Sequence, residues 1–364
     1  MLVDIFTTKE RVPYIAFLKL KERLNSHNFA LISLPHFYNP QASYGLLRKI
    51  FKTVPFVAFY SPYVGVERIS SDRMVVYLFK TEWDSKIDIE VYDNVLQLTE
   101  DIERRNREDI FHLLFIPLTN RDFVKTFPLL AEKRRKTKIC GFVSGSYNGK
   151  QRLMDTPIIT NSGIFKEKIV TVIFENFQTE CYPIIGFKPL GPPFEFKSKN
   201  SSVMTFVEDK AADKFFREIL KKVELKGDET NLMFLPLVLG LKKRNVWHIR
   251  HPRKLVKGGV EFWGPLPEEG KFRFGMYIDV AKQMEKKVSS YRESLNSFDF
   301  VFAFNCVGKQ PFVSPSYEFE RFERNIQIPF LFLGSFGEIY TDKNGLVHYL
   351  NGSLTPVFIK ERQT

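Results

Sequence analysis

The sequence predicts an α/β protein made of βαβ-type repeated units that form two mixed sheets flanked by helices. Three observations carry this expectation. Apolar segments of strand length come in pairs, and a segment of helical periodicity separates the members of each pair. The pattern recurs three times along 364 residues, a length that fits two domains. Hydrophobic residues make up 44% and charged residues 26%, which suits a sizeable core and excludes a disordered chain.

The first unit has a strand over 30–34, a helix with Leu47, Ile50 and Phe51 on one face, and a second strand over 54–60. The second has a strand over 113–116, a short helix, and a strand over 139–145. Pro128 is expected near that helix's start, because inside a helix proline removes a donor and clashes with the preceding turn. The third has a strand over 300–304 and a strand over 329–337. Between them Ser314 caps a helix, Pro315 sits in its first turn, and Phe319, Phe322 and Ile326 form one stripe. Each unit is followed by a further apolar strand, over 74–79, 169–174 and 354–359. Two more helices are marked. One covers 211–223 with Phe215, Phe216, Ile219, Leu220 and Val223 on one face. The other covers 280–295 with Val280, Met284, Val288, Tyr291 and Leu295, after a capping Asp279. A domain junction is expected between 189 and 200, where Leu190-Gly191-Pro192-Pro193 precedes a polar run, so the chain divides into 1–204 and 205–364.

Several function classes are excluded. No apolar run approaches the ~20 residues of a membrane span; the longest, 110–118, is interrupted by His112. The first twenty residues carry Asp4, Lys9, Glu10 and Arg11 without an apolar block, which predicts no secretory signal. Cys140, Cys181 and Cys306 are widely spaced and odd in number, which predicts neither a disulfide framework nor a metal knuckle but a soluble protein of the reducing cytoplasm. The net charge is +12. Basic residues cluster over 133–138 and again at Lys242, Lys243, Arg244, Arg250, Arg253, Lys254 and Lys257, but no nucleic-acid motif accompanies them. The 37 Phe, against 3 Trp, fall mostly in the strands and helix faces above and read as core filler.

Chemistry could reside in a few places. Gly141, Ser144 and Gly145 follow one strand, and Gly334, Gly337 and Glu338 follow another. Glycines at strand ends either admit a ligand or make a tight turn. Neither stretch matches a dinucleotide or phosphate-loop fingerprint. Cys306 lies close to Lys309, which could activate a thiol nucleophile, although no histidine partner is evident and a buried cysteine is also a small apolar residue. His248 and His251 would share a helix face, but residues 245–250 alternate like a strand, so no metal site is expected there. Haem would need only one histidine.

The ordered motifs resemble the FIST domain family, intracellular ligand-sensing modules of bacterial signalling proteins also found in some eukaryotic F-box proteins. Ile139-Cys140-Gly141-Phe142 stands where that family has a strand ending in glycines. Thr160-Asn161-Ser162-Gly163 resembles its short turn, and the segment from Ile185 to Pro192 its G-x-[KR]-P-[IL]-G-P signature. Cys306-Val307-Gly308-Lys309 is similar to its Cys-x-Gly-Arg, with Lys for Arg. The segment from Leu333 to Ile339 resembles its glycine-rich stretch ending in Gly-Glu-Ile. The segment from His348 to Leu354 resembles its His-Asn-x-Thr-Leu, with insertions and Ser for Thr. The first ~130 residues depart most, and Phe142 stands where a second glycine is common. The resemblance implies a FIST N-like part over 1–204 and a FIST C-like part over 205–364. It implies a stand-alone, non-enzymatic sensory domain that binds a small, amino-acid-like ligand and passes its signal to a separate partner protein. A haem-based nitric-oxide sensor or an interaction scaffold are the other roles known in the family. The expected pocket comprises Gly141, Ser144, Gly145, Arg250, Cys306, Gly334, Gly337, Glu338 and Asn351. There Arg250 would face an anionic group and Glu338 a cationic one, unless the two pair with each other. No metal, membrane or nucleic-acid partner is expected, and no cofactor is assigned.

Overall fold

The computed structural model describes residues 1–362 except 25, 83, 148–152, 155, 224–228 and 241–246, and except the side chains of 229, 230, 247 and 289–294. The first unit runs β1 (Leu2–Thr8), α1 (Pro13–Lys21), β2 (Phe29–Leu34), α2 (Pro40–Phe51), β3 (Phe56–Tyr60), the hairpin β4 (Val64–Gly65) and β5 (Ile69–Ser70), and β6 (Met74–Lys80). Every residue of β2 is buried, so the strand needs cover on both faces. It pairs in parallel with β3, Leu31 opposite Val57, and antiparallel with β6. The Asn39 side chain accepts from the Gln41 and Ala42 backbone N–H groups ahead of Pro40, which sets where α2 begins.

The second unit repeats this layout. It runs β7 (Lys86–Tyr92), α3 (Val95–Arg104), β8 (Ile110–Pro117), α4 (Arg121–Ala131) and β9 (Lys138–Ser144). Then come the small ribbon β10 (Ser146–Tyr147) and β11 (Leu153–Met154), the hairpin β12 (Ile158–Thr160) and β13 (Gly163–Phe165), and β14 (Ile169–Glu175). The third unit opens with β15 (Phe177–Cys181) and β16 (Ile184–Ile185) and is then interrupted by an insert. The insert contains β17 (Phe187–Lys199), β18 (Val203–Val207), β19 (Lys210–Ala211), α5 (Ala212–Lys222), β20 (Leu237–Gly240), β21 (Trp247–Arg250), β22 (Pro252–Val256), β23 (Gly259–Phe262) and β24 (Glu269–Tyr277). Its strands form one eight-stranded sheet. The unit resumes with α6 (Val280–Leu295), β25 (Phe300–Cys306), α7 (Pro315–Asn325), β26 (Phe330–Ser335), the hairpin β27 (Glu338–Thr341) and β28 (Val347–Leu350), and β29 (Ser353–Glu361).

The three units share one strand order: β1-β6-β2-β3, β7-β14-β8-β9 and β15-β29-β25-β26. Each sheet is then extended by a hairpin from another unit. β4 of the first unit pairs with β26 of the third, β27 of the third with β9 of the second, and β12 of the second with β3 of the first. The exchange closes a ring. The inner faces of the three sheets meet on a phenylalanine core that includes Phe59, Phe115, Phe142, Phe174, Phe302 and Phe304. Ring centroids along it lie 5.4 Å apart for Phe59–Phe115, 5.3 Å for Phe115–Phe142 and 5.1 Å for Phe142–Phe304. The paired helices α1 with α2, α3 with α4, and α6 with α7 cover the outer faces.

The α/β class and all three parallel strand pairs are as expected, but the sheet count is not. Among the described residues, three core sheets, an insert sheet and the small β10–β11 ribbon replace the expected two. Strand periodicity identifies the strands, but not that each short hairpin leaves its own unit. The stretch 189–200 is not a linker; it lies largely within β17, a thirteen-residue strand. Its register breaks between Leu190 and Phe194, and Gly191 takes φ +75°, so Pro192 and Pro193 sit in a bulge where no ladder donor is required. Position 204 falls inside β18. Pro128 lies inside α4 rather than near its start. Proline there removes the bond to the Val124 carbonyl, and buried Phe123, Phe127 and Leu130 hold the helix on the sheet despite that loss.

If the three inner faces form one core, Phe302→Ala lowers stability by about 3–5 kcal/mol in urea unfolding. A loss near zero contradicts this packing.

Candidate functional site

The site builds from the carboxyl ends of the parallel strands, where the three units meet. Each second parallel strand runs into a buried serine: Ser61 after β3, Ser144 at the end of β9 and Ser335 at the end of β26. The Ser61 hydroxyl lies 2.9 Å from the Gly334 carbonyl and 2.6 Å from that of Tyr63, and the Ser144 hydroxyl donates to the Tyr60 carbonyl at 2.8 Å. In both, the serine of one unit reaches the carbonyl just before the matching serine of another. The third serine breaks the pattern. Ser335 donates instead to one carboxylate oxygen of Glu338, and Ser353 donates to the other at 2.6 Å. The Val143 carbonyl, which the repeat would assign to Ser335, takes the Phe336 N–H at 3.0 Å.

Glu338 is fully buried. Burial pushes its carboxyl up to about 7, against the opposing pull of the Ser335 and Ser353 hydroxyls and the Lys309 charge. Cys306 is its neighbour. Burial pushes that thiol well above its ordinary range, with Glu338 adding to the effect, although the Gly352 and Gly308 N–H groups oppose it. Lys309 does little to activate the thiol, because its ammonium is held by Glu318 at 2.8 Å and by Asn305 at 2.6 Å. Asn305 in turn donates to Glu318 at 2.8 Å and to the Tyr63 hydroxyl at 3.0 Å. Lys309, Glu318 and Asn305 are all buried, so each charge and amide here has a partner. The surroundings of Cys306 therefore fit a small buried residue better than a nucleophile.

Arg250 reaches the site from β21. Its guanidinium donates to the carbonyls of Pro265 (2.6 Å), Ile249 (2.8 Å) and Tyr349 (3.0 Å), and lies 3.4 Å from Nδ1 of His248. Burial lowers its pKa to about 10. Among the described residues Arg250 and Glu338 share no hydrogen bond or ion pair. Arg250 is a tie between the insert and β28.

Two further groups stand out because their polar atoms are incompletely satisfied. Asn351 donates to the Phe336 carbonyl at 3.2 Å, yet its Oδ1 is buried without a hydrogen bond. His251, just past β21, is buried and makes no well-formed hydrogen bond through either nitrogen, although the Met233 backbone accepts a polar contact from the ring that favours its protonated form; burial outweighs this and pushes it down to about 4. Its Nε2 faces two glycines: a Cβ built on Gly308 or Gly352 would lie 2.9 or 3.2 Å from it. Unpaired buried polar atoms typically cost about 1–3 kcal/mol each and are rare in native proteins. These sit beside the 351–352 turn, whose Gly352 N–H faces the Cys306 sulfur next to Glu338.

The expected residues thus separate into groups. Cys306, Glu338 and Asn351 converge. Ser144 joins the ring of serines, and Arg250 stands across at Tyr349. The four glycines are filled by protein: Gly141 against the Leu114 backbone, Gly145 against Phe336, Gly334 against Tyr63 and Gly337 against Tyr349. Ser335, Ser353, Asn305 and Glu318 were missed, and His251 was weighed only as a metal ligand. Aligning the three units would have found the serine position, since 61, 144 and 335 each follow the same strand. Elsewhere, Arg135 of the first basic run is buried and donates to carbonyls near the end of α4, while Lys242, Lys243 and Arg244 lie outside the described residues. A surface cleft of about 660 Å³ on the insert is lined by Glu195, Lys197, Glu208, Asp209, Glu269 and Lys271, with none of the groups above. Among the described residues no cluster of three His, Cys, Asp or Glu could hold a metal, and no helix is long and apolar enough to cross a membrane.

Two pH effects of opposite sign follow. A carboxyl whose folded pKa is raised stabilises below its unfolded value and loses that contribution as pH rises through about 7. Relative to wild type, Glu338→Gln therefore gains roughly 3 kcal/mol between pH 4 and pH 8.5 in urea unfolding. A flat difference contradicts the burial of a carboxyl here. His112 and His251 are both pushed down to about 4, so their contribution is complete above ~6.5 and lost as pH falls through 4. Replacing either with Leu flattens the acid limb of a stability–pH curve; an unaltered acid limb in both variants refutes the assignment.

Compared with known proteins, the chain matches no family model and no curated protein.

Proposed function

We propose that this chain is a cytoplasmic, non-enzymatic sensory module that binds a small ligand between the insert and the third unit and passes the signal to a separate protein. The observation that carries this reading is the unpartnered Asn351 Oδ1, with the His251 ring, which makes no well-formed hydrogen bond, beside the buried Glu338 carboxyl. They gather where the third unit departs from the serine pattern of the other two. The FIST-like motif order supports the sensory class and the two-part FIST N and FIST C division.

The chemistry of the three groups selects the ligand. Asn351 Oδ1 accepts hydrogen bonds, a neutral imidazole offers one acceptor, and Glu338 can be ionised near neutral pH. A ligand with N–H donors, such as the amino group of an amino acid or a small amine, satisfies them. Arg250 and Lys309 are taken up by protein acceptors, so recognition centres on the amino end rather than on a carboxylate. His251 belongs to the insert and Asn351 to the loop between β28 and β29, so a ligand that bonds both joins the two parts. That coupling converts binding into a change a partner can read.

A thermal-shift screen of amino acids and small amines tests this. A true ligand at ~100 times its Kd stabilises the chain by about 2.7 kcal/mol. Asn351→Leu abolishes the shift while the variant stays folded. No stabilisation by any compound, or a shift that survives both Asn351→Leu and His251→Phe, overturns the reading.

A further inference from the structure

We propose that the outer face of α1 is a docking surface for an anionic lipid bilayer. The proposal is independent of the ligand site. α1 reads Pro-Tyr-Ile-Ala-Phe-Leu-Lys-Leu-Lys and is apolar around most of its circumference. Ala16, Phe17 and Leu20 face the sheet and are buried. Tyr14, Ile15 and Leu18 form a second stripe facing outward, and Val12 precedes it. These four are 41–58% exposed, and Phe37 from the loop after β2 is also exposed. A surface helix of a water-facing protein normally carries one apolar stripe, not two.

The fold does not require this. α3 occupies the matching place in the second unit, and its exposed positions are Leu96, Gln97, Glu100, Glu103 and Arg104, largely polar. The exposed apolar side chains also cluster here, whereas those elsewhere are scattered along the chain.

Charge identifies the occupant. Residues 1–80 carry eleven Lys and Arg against five Asp and Glu, a surplus of six that is half of the chain's +12. It lies on the helix layer. Lys9, Arg11, Lys19, Lys21 and Arg23 surround α1, and Arg48, Lys49 and Lys52 lie at the end of α2; all eight are exposed. Lys19 shares its charge with Glu10, and Glu22 is the other acid of the patch. On the helical wheel Lys19 and Lys21 flank the Tyr14–Ile15–Leu18 stripe on opposite sides. An apolar ridge bordered by long cationic side chains suits an anionic interface: the ridge enters the acyl boundary while the lysines extend to the headgroups. The expectation of no membrane partner rested on the lack of a spanning segment, and surface docking needs none.

The test is co-sedimentation of the full chain with vesicles of phosphatidylcholine alone or mixed with phosphatidylserine. The chain binds the mixed vesicles and loses about tenfold or more in affinity on phosphatidylcholine alone or in ~1 M salt. Tyr14→Ser with Leu18→Ser, which keeps every charge, weakens binding about tenfold while the chain stays folded, because both side chains are largely exposed. Lys21→Glu with Lys49→Glu also weakens it. No binding to mixed vesicles, as expected if the patch serves an acidic protein, overturns the proposal. So does equal binding to neutral vesicles, or binding indifferent to the two serine substitutions.

Discussion

The rest of the molecule depends on the cyclic exchange of hairpins. In each unit the second parallel strand would be an exposed edge if the unit stood alone. β3, β9 and β26 are buried and strongly apolar, so a bare edge would be an aggregation site. A hairpin from another unit covers each one. No unit can leave without exposing two edges, its own and the one it covers. The phenylalanine core is the interior of this ring: three sheets converging on one axis leave a volume that long, rigid aromatic side chains fill at low conformational cost.

The ring also explains where polar chemistry can accumulate. Strand ends from three units meet there, and their backbone carbonyls and N–H groups need partners. Serines at matched positions satisfy two junctions. At the third, Glu338 replaces a carbonyl with a carboxylate, which draws in Ser335, Ser353 and the Cys306 thiol. The insert then covers this end: Arg250 ties it to β28, and His251 packs against Gly308 and Gly352. A departure from internal repetition that retains unpaired polar atoms costs stability, and function is a physical reason to retain it.

Much of the scaffold was legible in the sequence because it is local. The three strand–helix–strand patterns, the Ser314 and Asp279 caps and the strand nature of 247–250 all follow from periodicity and capping within a dozen residues. What was not legible is non-local. Two-residue strands such as Val64–Gly65 carry no period, and their partners lie hundreds of residues away. The Gly191–Pro193 stretch looked like a linker because a bulge uses the same residues as a loop. At the site, Cys306, Glu338 and Asn351 were identifiable as a motif set. The role of Arg250 was not, because three backbone carbonyls supply its contacts and leave no trace in composition. The basic runs visible in sequence lie at 133–138 and 242–257, whereas the patch from residues 9–52 emerges only once α1 and α2 lie side by side.

The three units stand or fall together through their exchanged hairpins. Native-state hydrogen exchange across the chain tests it directly, because local and global opening give different free energies. The amides of β4, β12 and β27 should exchange at the same opening free energy as those of β3, β9 and β26, close to that of global unfolding. Hairpin amides that open several kcal/mol more easily than the strands they pair with would show the ring to be a loose association of units that open independently.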